Sequence, residues 1–149
     1  SVLGLEHGMS HMEWFRRKDG TIAISEVGAR PPGAQFTSLI SYAHECDFYS
    51  AWGRLMCGLG FDSPARQFAV GGAYLRGQGT GRRIIQVHGL DEAQRELGPL
   101  VVEAKLPAEG QPRGDGYEGD GYVIVRHPET SVVEQALARL LELVKVETA

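Results

Sequence analysis

Two glutamates, Glu13 and Glu26, flank an Asp19-Gly20 pair in the segment HMEWFRRKDGTIAISEVGARPPG, which covers residues 11–33. Asp-Gly between two runs of strand-forming residues predicts a β-hairpin, because both residues tolerate the positive φ angles of a type I′ turn. If these two residues form the whole loop, Glu13 pairs directly with Glu26. Their Cβ atoms then lie roughly 5 Å apart on one face of the hairpin.

We predict hairpin strands over residues 11–18 and 21–28. The predicted register places the pairs Arg17/Ile22, Phe15/Ile24 and His11/Gly28 on the face of the two carboxylates, and Met12/Val27, Trp14/Ser25 and Arg16/Ala23 on the other face. Arg30 follows Glu26 and Gly28 at the strand period of two, so it extends the carboxylate face.

Like charges directly opposite each other destabilise a sheet, so the Glu13–Glu26 pair needs a physical reason. A divalent cation is one such reason, because Mg²⁺ is commonly held by one or two carboxylates plus substrate phosphates. A nearby arginine can then bind the remaining negative charge. Two other interpretations stay open from the pattern alone: a solvated carboxylate pair, and a three-residue loop that slips the register by one residue.

The composition excludes several classes of function. The chain has 149 residues, 42% of them hydrophobic, and a net charge of −4. This charge argues against a nucleic-acid-binding surface, and the sequence contains neither a bilayer-length apolar stretch nor a leader pattern. We therefore expect a cytoplasmic protein without nucleic-acid or membrane partners. Cys46 and Cys57 lack the spacing of a metal site, and we expect them to be free thiols.

Helical periodicity follows the hairpin over residues 34–45 and again over 47–58. In the second helix Phe48, Trp52, Leu55 and Met56 favour core packing over a cofactor site. The glycine- and proline-marked segment 58–64 separates these helices from a region of different composition. We therefore predict two units, residues 1–62 and 63–149.

The second unit is predicted to be a small antiparallel α/β layer, so the fold class is α+β: a hairpin with following helices, then this unit. Its predicted elements are strands 67–76 and 82–88 joined by a glycine-rich hairpin loop (GQGTG), helix 90–97, strand 100–106, a loop over 107–120, strand 121–126 and helix 130–144. Thr130 or Ser131 is the expected helix cap, with Glu134 completing a capping box. In the loop, RGDGYEGDG does not match a calcium-binding pattern, so we predict a mobile turn.

HME, the hairpin and SEVGARPPG together resemble the metal-binding segment of the ATP-grasp carboxylate–amine ligases. The resemblance implies that Glu13 and Glu26 hold the Mg²⁺ ions, or Mn²⁺, that bridge the ATP phosphates, and that Arg30 is a catalytic residue contacting phosphate or the carboxylate substrate. Many family members have an Asn ligand where this chain has Gly28, which implies a second metal that is held less firmly or completed by water. His11 and Gly33, together with Arg30, are the implied substrate-binding residues.

ARPPG followed by a helical pair, and later GYVIVR with a terminal helix ending in VKVET, resemble the amino-acid ligase branch and its C-terminal unit. The family uses ATP to convert a carboxylate into an acyl phosphate, from which an amine, or a thiol, displaces phosphate. We therefore expect this chain to be the C-terminal part of such a ligase and to be inactive without an N-terminal ATP-grasp portion. The expected substrates are a small carboxylate and an amine, and a homodimer is one assembly that the resemblance allows. A biotin carboxylase-like enzyme and a non-catalytic binding or assembly module are the alternatives.

Overall fold

A computed structural model of the chain describes residues 4–149, so residues 1–3 of the predicted first unit lie outside the described part. The elements in chain order are β1 (His11–Arg16), β2 (Ile22–Gly28), α1 (Phe36–His44), α2 (Phe48–Met56), β3 (Ala69–Leu75), β4 (Gly77–Gln78), β5 (Ile84–His88), α3 (Leu90–Leu97), a 3₁₀ turn (Gly98–Leu100), β6 (Val101–Lys105), β7 (Gly121–His127), α4 (Thr130–Leu143) and β8 (Lys145–Thr148). The predicted α+β class is confirmed.

The described strands form three small sheets: the β1–β2 hairpin, a sheet in the order β3-β7-β6, and a sheet in the order β4-β8-β5. All pairings are antiparallel except that between β4 and β8. Helix α1 packs on β3, and the Tyr42 hydroxyl of α1 donates to the Glu103 carboxylate of β6 at 2.9 Å. The division into residues 1–62 and 63–149 stays a prediction, and these contacts join the two sides of it.

The main core lies between the β3-β7-β6 sheet and helix α4. The apolar stripe of α4, predicted from its helical spacing, contributes Val133, Ala136 and Leu140, each less than 5% exposed. Helix α4 approaches β3 closely at Gly71, where an added Cβ would lie 2.5 Å from Leu137 Cδ1. Glycine at this position therefore lets the helix lie against the sheet.

The prediction that GQGTG is a hairpin loop is wrong. Strand β3 pairs with β7, whereas β5 pairs with β8, a C-terminal strand that the sequence did not predict. The loop instead contains β4, and a Cβ built on Gly81 would overlap the backbone of Ala149. The glycines thus allow the C-terminal end of the chain to pass close to this loop.

Two other predictions about the helices are wrong. Helix α4 begins at Thr130, and its N-cap is Glu129, which makes no side-chain capping bond. Thr130 and Ser131 therefore lie inside the helix, and the predicted capping box does not form. Helix α2 contains no buried residue, and its Met56 is 59% exposed. This helix therefore lies at the surface of the described fold. It packs against α1, and its Phe48 ring lies edge-on to Phe61.

Cys46 is half-buried and Cys57 is exposed, and both are free thiols, as predicted. Over residues 4–149 no helix is long and apolar enough to cross a membrane.

Candidate active site

The hairpin loop contains three residues, Lys18, Asp19 and Gly20, and the prediction of two was wrong. The Gly20 N–H donates to the Arg17 carbonyl at 3.0 Å, and Gly20 has a φ of 85°. This is a type I turn followed by a left-handed residue. The Asp19 carboxylate accepts hydrogen bonds from the hydroxyl (2.7 Å) and the N–H (3.0 Å) of Thr21, and these bonds lower the pKa of Asp19.

A β-bulge at Ser25 restores the predicted register beyond the loop. Next to the loop the pairing is slipped by one residue, so that Trp14 pairs with Ile24. Ser25 is the extra residue of β2, and after it Glu13 pairs with Glu26. The other pairs are Arg16/Ile22 and Phe15/Ala23 before the bulge, and Met12/Val27 and His11/Gly28 after it. The Glu13–Glu26 pairing is therefore confirmed, although the loop length from which it was predicted was wrong.

The bulge also sorts the side chains of the hairpin into two chemically different faces. Ile22 and Ile24 were predicted on the carboxylate face, but they pair with Arg16 and Trp14 and so lie on the other one. That face, which we call the apolar face, contains Met12, Trp14, Ile22, Ile24 and Val27, each between 42% and 61% exposed. Arg16 also lies on it, whereas Phe15 lies on the carboxylate face. The two carboxylates are thereby separated from the large aliphatic side chains.

Arg30 is held next to Glu26. Its Nη2 donates to Glu26 Oε1 at 3.3 Å, with both side chains about half exposed, and its Nη1 donates to the Pro31 carbonyl at 3.2 Å. The side chain crosses Gly28, since a Cβ built there would lie 3.4 Å from Arg30 Cγ and Nε. Arg30 therefore fills the space next to Gly28.

Four of the five predicted site residues line one cavity of about 300 Å³: His11, Glu13, Arg30 and Gly33. Glu26, the fifth, is outside this lining but is bound to Arg30. Ala34, Phe36 and Tyr117 complete the lining. The structure thus brings the predicted residues together, while their chemical roles stay predictions.

Three of the lining residues were not predicted individually. Ala34 adopts a left-handed conformation with φ 51°. Phe36 is the first residue of α1, within the helical periodicity predicted over residues 34–45, and it is 55% exposed. Tyr117 lies in the loop over 107–120, and no periodicity or motif in the sequence distinguishes it.

Hydrogen bonds fix the chain segment that carries Gly33. Thr37, only 1% exposed, donates its hydroxyl to the Pro32 carbonyl at 3.3 Å. The Phe36 N–H donates to the Gly33 carbonyl at 3.3 Å, and the Gln35 N–H donates to the Tyr74 hydroxyl of β3 at 3.4 Å. The segment is therefore held by the start of α1 and by β3.

The loop that carries Tyr117 is also anchored. Arg76 donates to the carbonyls of Gly116 (3.0 Å) and Tyr117. Asp120 is 5% exposed, and its two carboxylate oxygens accept the N–H groups of Gly77 and Gly114, each at 2.6 Å. The sequence suggested a mobile turn here, but Asp120 is a buried anchor of it.

The paired carboxylates fit the chemistry of a magnesium site. Glu13 and Glu26 supply only oxygen ligands from adjacent strands, on the hairpin face opposite Ile22 and Ile24, and Phe15 shares their face. Within residues 4–149 there is no cluster of three or more His, Cys, Asp or Glu side chains able to hold a metal. Mg²⁺ suits a site with one or two carboxylates, because it keeps several waters and takes its other ligands from phosphates.

A larger cavity of about 690 Å³ lies next to the GQGTG loop and is lined in part by Arg82, Arg83 and Arg113. Two of these arginines are already engaged: Arg83 donates to the Gly110 carbonyl at 2.8 Å, and Arg113 to the Gly79 carbonyl at 2.6 Å. Its lining contains no carboxylate pair. We therefore place the candidate active site at the smaller cavity.

No protein-family model matches the sequence, and no curated protein matches it significantly. The fold, in contrast, is similar to parts of several solved structures. The L-amino acid ligase from Bacillus licheniformis matches with a TM-score of 0.78 and 18% identity, over 99% of this chain and 39% of that one. The N5-carboxyaminoimidazole ribonucleotide synthetase from Thermotoga maritima matches with a TM-score of 0.68 and 20% identity, over 96% of this chain and 38% of that one.

The phosphoribosylglycinamide synthetase from Anaerococcus prevotii is similar over 94% of this chain and 37% of its own, with a TM-score of 0.70 and 11% identity. The chain thus spans less than two fifths of the length of these enzymes. The likeness includes residues 67–148 as well as the hairpin. The predicted ATP-grasp ligase fold is therefore confirmed.

Proposed function

We propose that this chain, which has the fold of part of the ATP-grasp ligases, is the C-terminal portion of an ATP-dependent ligase that joins a small carboxylate to an amine. The observation that carries the proposal is the pairing of Glu13 with Glu26 across the hairpin, with Arg30 bound to Glu26 beside one cavity. A carboxylate pair and a guanidinium on one face suit a reaction that moves a phosphoryl group.

In this reaction Glu13 and Glu26 would act as metal ligands. When Mg²⁺ is bound, it neutralises the ATP phosphates and the charge that develops on the transferred group. Glu13 and Glu26 would hold the metal, and their mutual repulsion in the free hairpin raises its affinity for a cation. Arg30 would contact the phosphoryl oxygens or the substrate carboxylate, to which its planar fork can bind through two hydrogen bonds.

The proposed chemistry has two steps. In the first, a carboxylate oxygen of the substrate forms a bond to the γ-phosphorus of ATP while the bond to the ADP oxygen breaks, giving an acyl phosphate. In the second, the amine nitrogen bonds to the acyl carbon, phosphate leaves and the nitrogen loses a proton to solvent. Neither step needs a nucleophilic side chain, so positioning and electrostatic stabilisation are the contribution of the protein.

The apolar face of the hairpin supports the proposal that a further portion of the ligase covers it. Five large apolar side chains on one face, each at least 42% exposed, form the kind of patch that marks an interaction surface. The solved ligases of similar fold are more than twice as long as this chain. We propose that the remaining ATP-grasp portion packs on this face and brings ATP to the carboxylate face.

The test uses the full-length enzyme and measures phosphate release from ATP across pairs of amino acids. We expect turnover with at least one pair, and we expect Glu26→Gln to reduce it by about 100-fold or more, the scale of removing one electrostatic group from an active site. Glu109→Gln is the matched control, since Glu109 is an exposed carboxylate in the loop over 107–120. Circular dichroism should show the same fold for both variants.

Wild-type phosphate release in Glu26→Gln would remove the assigned metal role. An absence of ATP-dependent turnover with every carboxylate and amine offered, from a folded full-length protein, would favour a non-catalytic binding or assembly module. Titration with Mn²⁺ and ATP, followed by the magnetic relaxation of water protons, separates these outcomes because it detects metal binding without turnover.

A further inference from the structure

We propose that Tyr117 is the residue that limits the size of the substrate side chain in the cavity next to Arg30. This inference rests on the proposed ligase function and assigns a specificity role within that same site. Tyr117 is contributed by the second unit, whereas the other six lining residues come from the hairpin and the segment after it.

The contact between Tyr117 and Gly33 supports this role. A Cβ built on Gly33 would lie 3.8 Å from the Tyr117 hydroxyl, which is an ordinary van der Waals distance. A methyl group at position 33 would therefore fit against the Tyr117 hydroxyl. The absent side chain at position 33 leaves this space open, and Tyr117, which is 70% exposed, borders the cavity on that side.

The lining combines polar groups with a small apolar surface. His11, Glu13 and Arg30 can bind charged groups of a substrate, whereas Ala34 and Phe36 can contact only an apolar one. A volume of about 300 Å³ is at the lower end of the range for ligand sites. These features fit an amino acid with a small apolar side chain rather than an extended peptide.

The position of the tyrosine is fixed through its backbone. Arg76 binds the Gly116 and Tyr117 carbonyls, and Asp120 binds the Gly114 N–H. In residues 4–149 the tyrosine hydroxyls that form hydrogen bonds are those of Tyr42, Tyr74 and Tyr122. The Tyr117 side chain is 70% exposed and lines the cavity, on a loop whose backbone the fold holds in place.

The test compares amino-acid substrates of increasing size, alanine, valine, leucine and phenylalanine, against a fixed second amino acid that supports turnover by the full-length enzyme. We expect Tyr117→Ala to raise the ratio of kcat/KM for phenylalanine over alanine by about 10-fold or more, the discrimination expected when a pocket wall is removed. Gly33→Ala should lower this ratio, because its added methyl group narrows the same space. Gly33 has no positive φ, so alanine fits its backbone.

Two control variants separate the effect of the Tyr117 ring from that of its hydroxyl and from that of removing an exposed tyrosine elsewhere. Tyr117→Phe keeps the ring and should leave the ratio within about twofold, as should Tyr49→Ala, which removes a 55% exposed tyrosine on α2 outside the cavity lining. The KM for ATP should stay the same in all four variants. A changed ratio in Tyr117→Phe would assign the effect to the hydroxyl and overturn the size-limiting role of the ring.

An unchanged ratio in Tyr117→Ala, in an enzyme that still turns over, would overturn the inference and leave the proposed ligase function intact. Absence of turnover in the wild type with every amino-acid pair would instead overturn the proposed function, and this inference with it. The two failures are therefore distinguishable in one set of assays.

Discussion

Replacement of Asp120 tests how the fold positions the loop that carries Tyr117. Its carboxylate is 5% exposed and accepts two backbone N–H groups at 2.6 Å, from Gly77 and from Gly114. Hydrogen bonds to a charged group contribute about 1.5–3 kcal/mol each. Asparagine has the same shape but only one acceptor oxygen, so one of the two N–H groups would face the amide NH₂ group.

We therefore expect Asp120→Asn to lower the free energy of unfolding by about 1.5–3 kcal/mol, and Asp120→Ala by about twice as much. The larger loss is a substantial part of the 5–15 kcal/mol typical of a folded domain. Urea denaturation at neutral pH, followed by circular dichroism, measures both values. Asp115→Asn is the control, because Asp115 is an exposed carboxylate of the same loop and should change stability by less than about 0.5 kcal/mol.

A value for Asp120→Asn within about 0.5 kcal/mol of the wild type would refute the reasoning. It would mean that water or a loop movement satisfies both N–H groups at no cost. Amide hydrogen exchange at Gly77 and Gly114 would then show the same rates as in the wild type, whereas the loss of the bonds predicts faster exchange.

Three further predictions concern other parts of the molecule. In the full-length enzyme Arg30→Lys should raise the substrate KM by about 10-fold or more, because an ammonium lacks the two-pronged geometry of guanidinium; steady-state kinetics would show unchanged constants if Arg30 is only structural. Gly71→Ala should cost about 1–3 kcal/mol in urea denaturation, since its Cβ would press against Leu137, and a neutral effect would mean that α4 shifts freely. The hydrogen bond to Glu103 raises the pKa of Tyr122 from an ordinary value near 10 to about 12. The contribution of this group to the free energy of unfolding is therefore fully present below about pH 10 and is lost as the pH rises towards 12. Tyrosinate absorbance should lose its most alkaline component in Tyr122→Phe, and an unchanged titration would contradict the assignment.

The hairpin shows which parts of a site can be predicted from sequence. Residue types and the Asp-Gly signal placed the strands and the Glu13–Glu26 pair correctly. The loop took in Lys18 because the turn adopts the type I form, and the extra residue Ser25 compensated for this shift. A loop length and a bulge each change the register by one residue, and neither has a strong local sequence signal.

Residues 63–149 were predicted well where the apolar pattern is periodic and poorly where tertiary contacts decide the structure. Helix α4 and strand β7 lie close to their predicted bounds, because their apolar residues repeat at the helical and strand periods. Strand β8 was missed because its four residues directly follow a helix. The loop that carries Tyr117 is positioned by the tertiary contacts of Arg76 and Asp120, which no local pattern records.

The apolar face of the hairpin also has a practical consequence for producing the protein. When these 149 residues are expressed by themselves, Trp14, Ile24 and the other large side chains of that face contact water during and after synthesis. Exposed apolar strands promote aggregation during folding. We expect the isolated chain to accumulate in inclusion bodies, and co-expression with the proposed ATP-grasp portion to keep it in the supernatant.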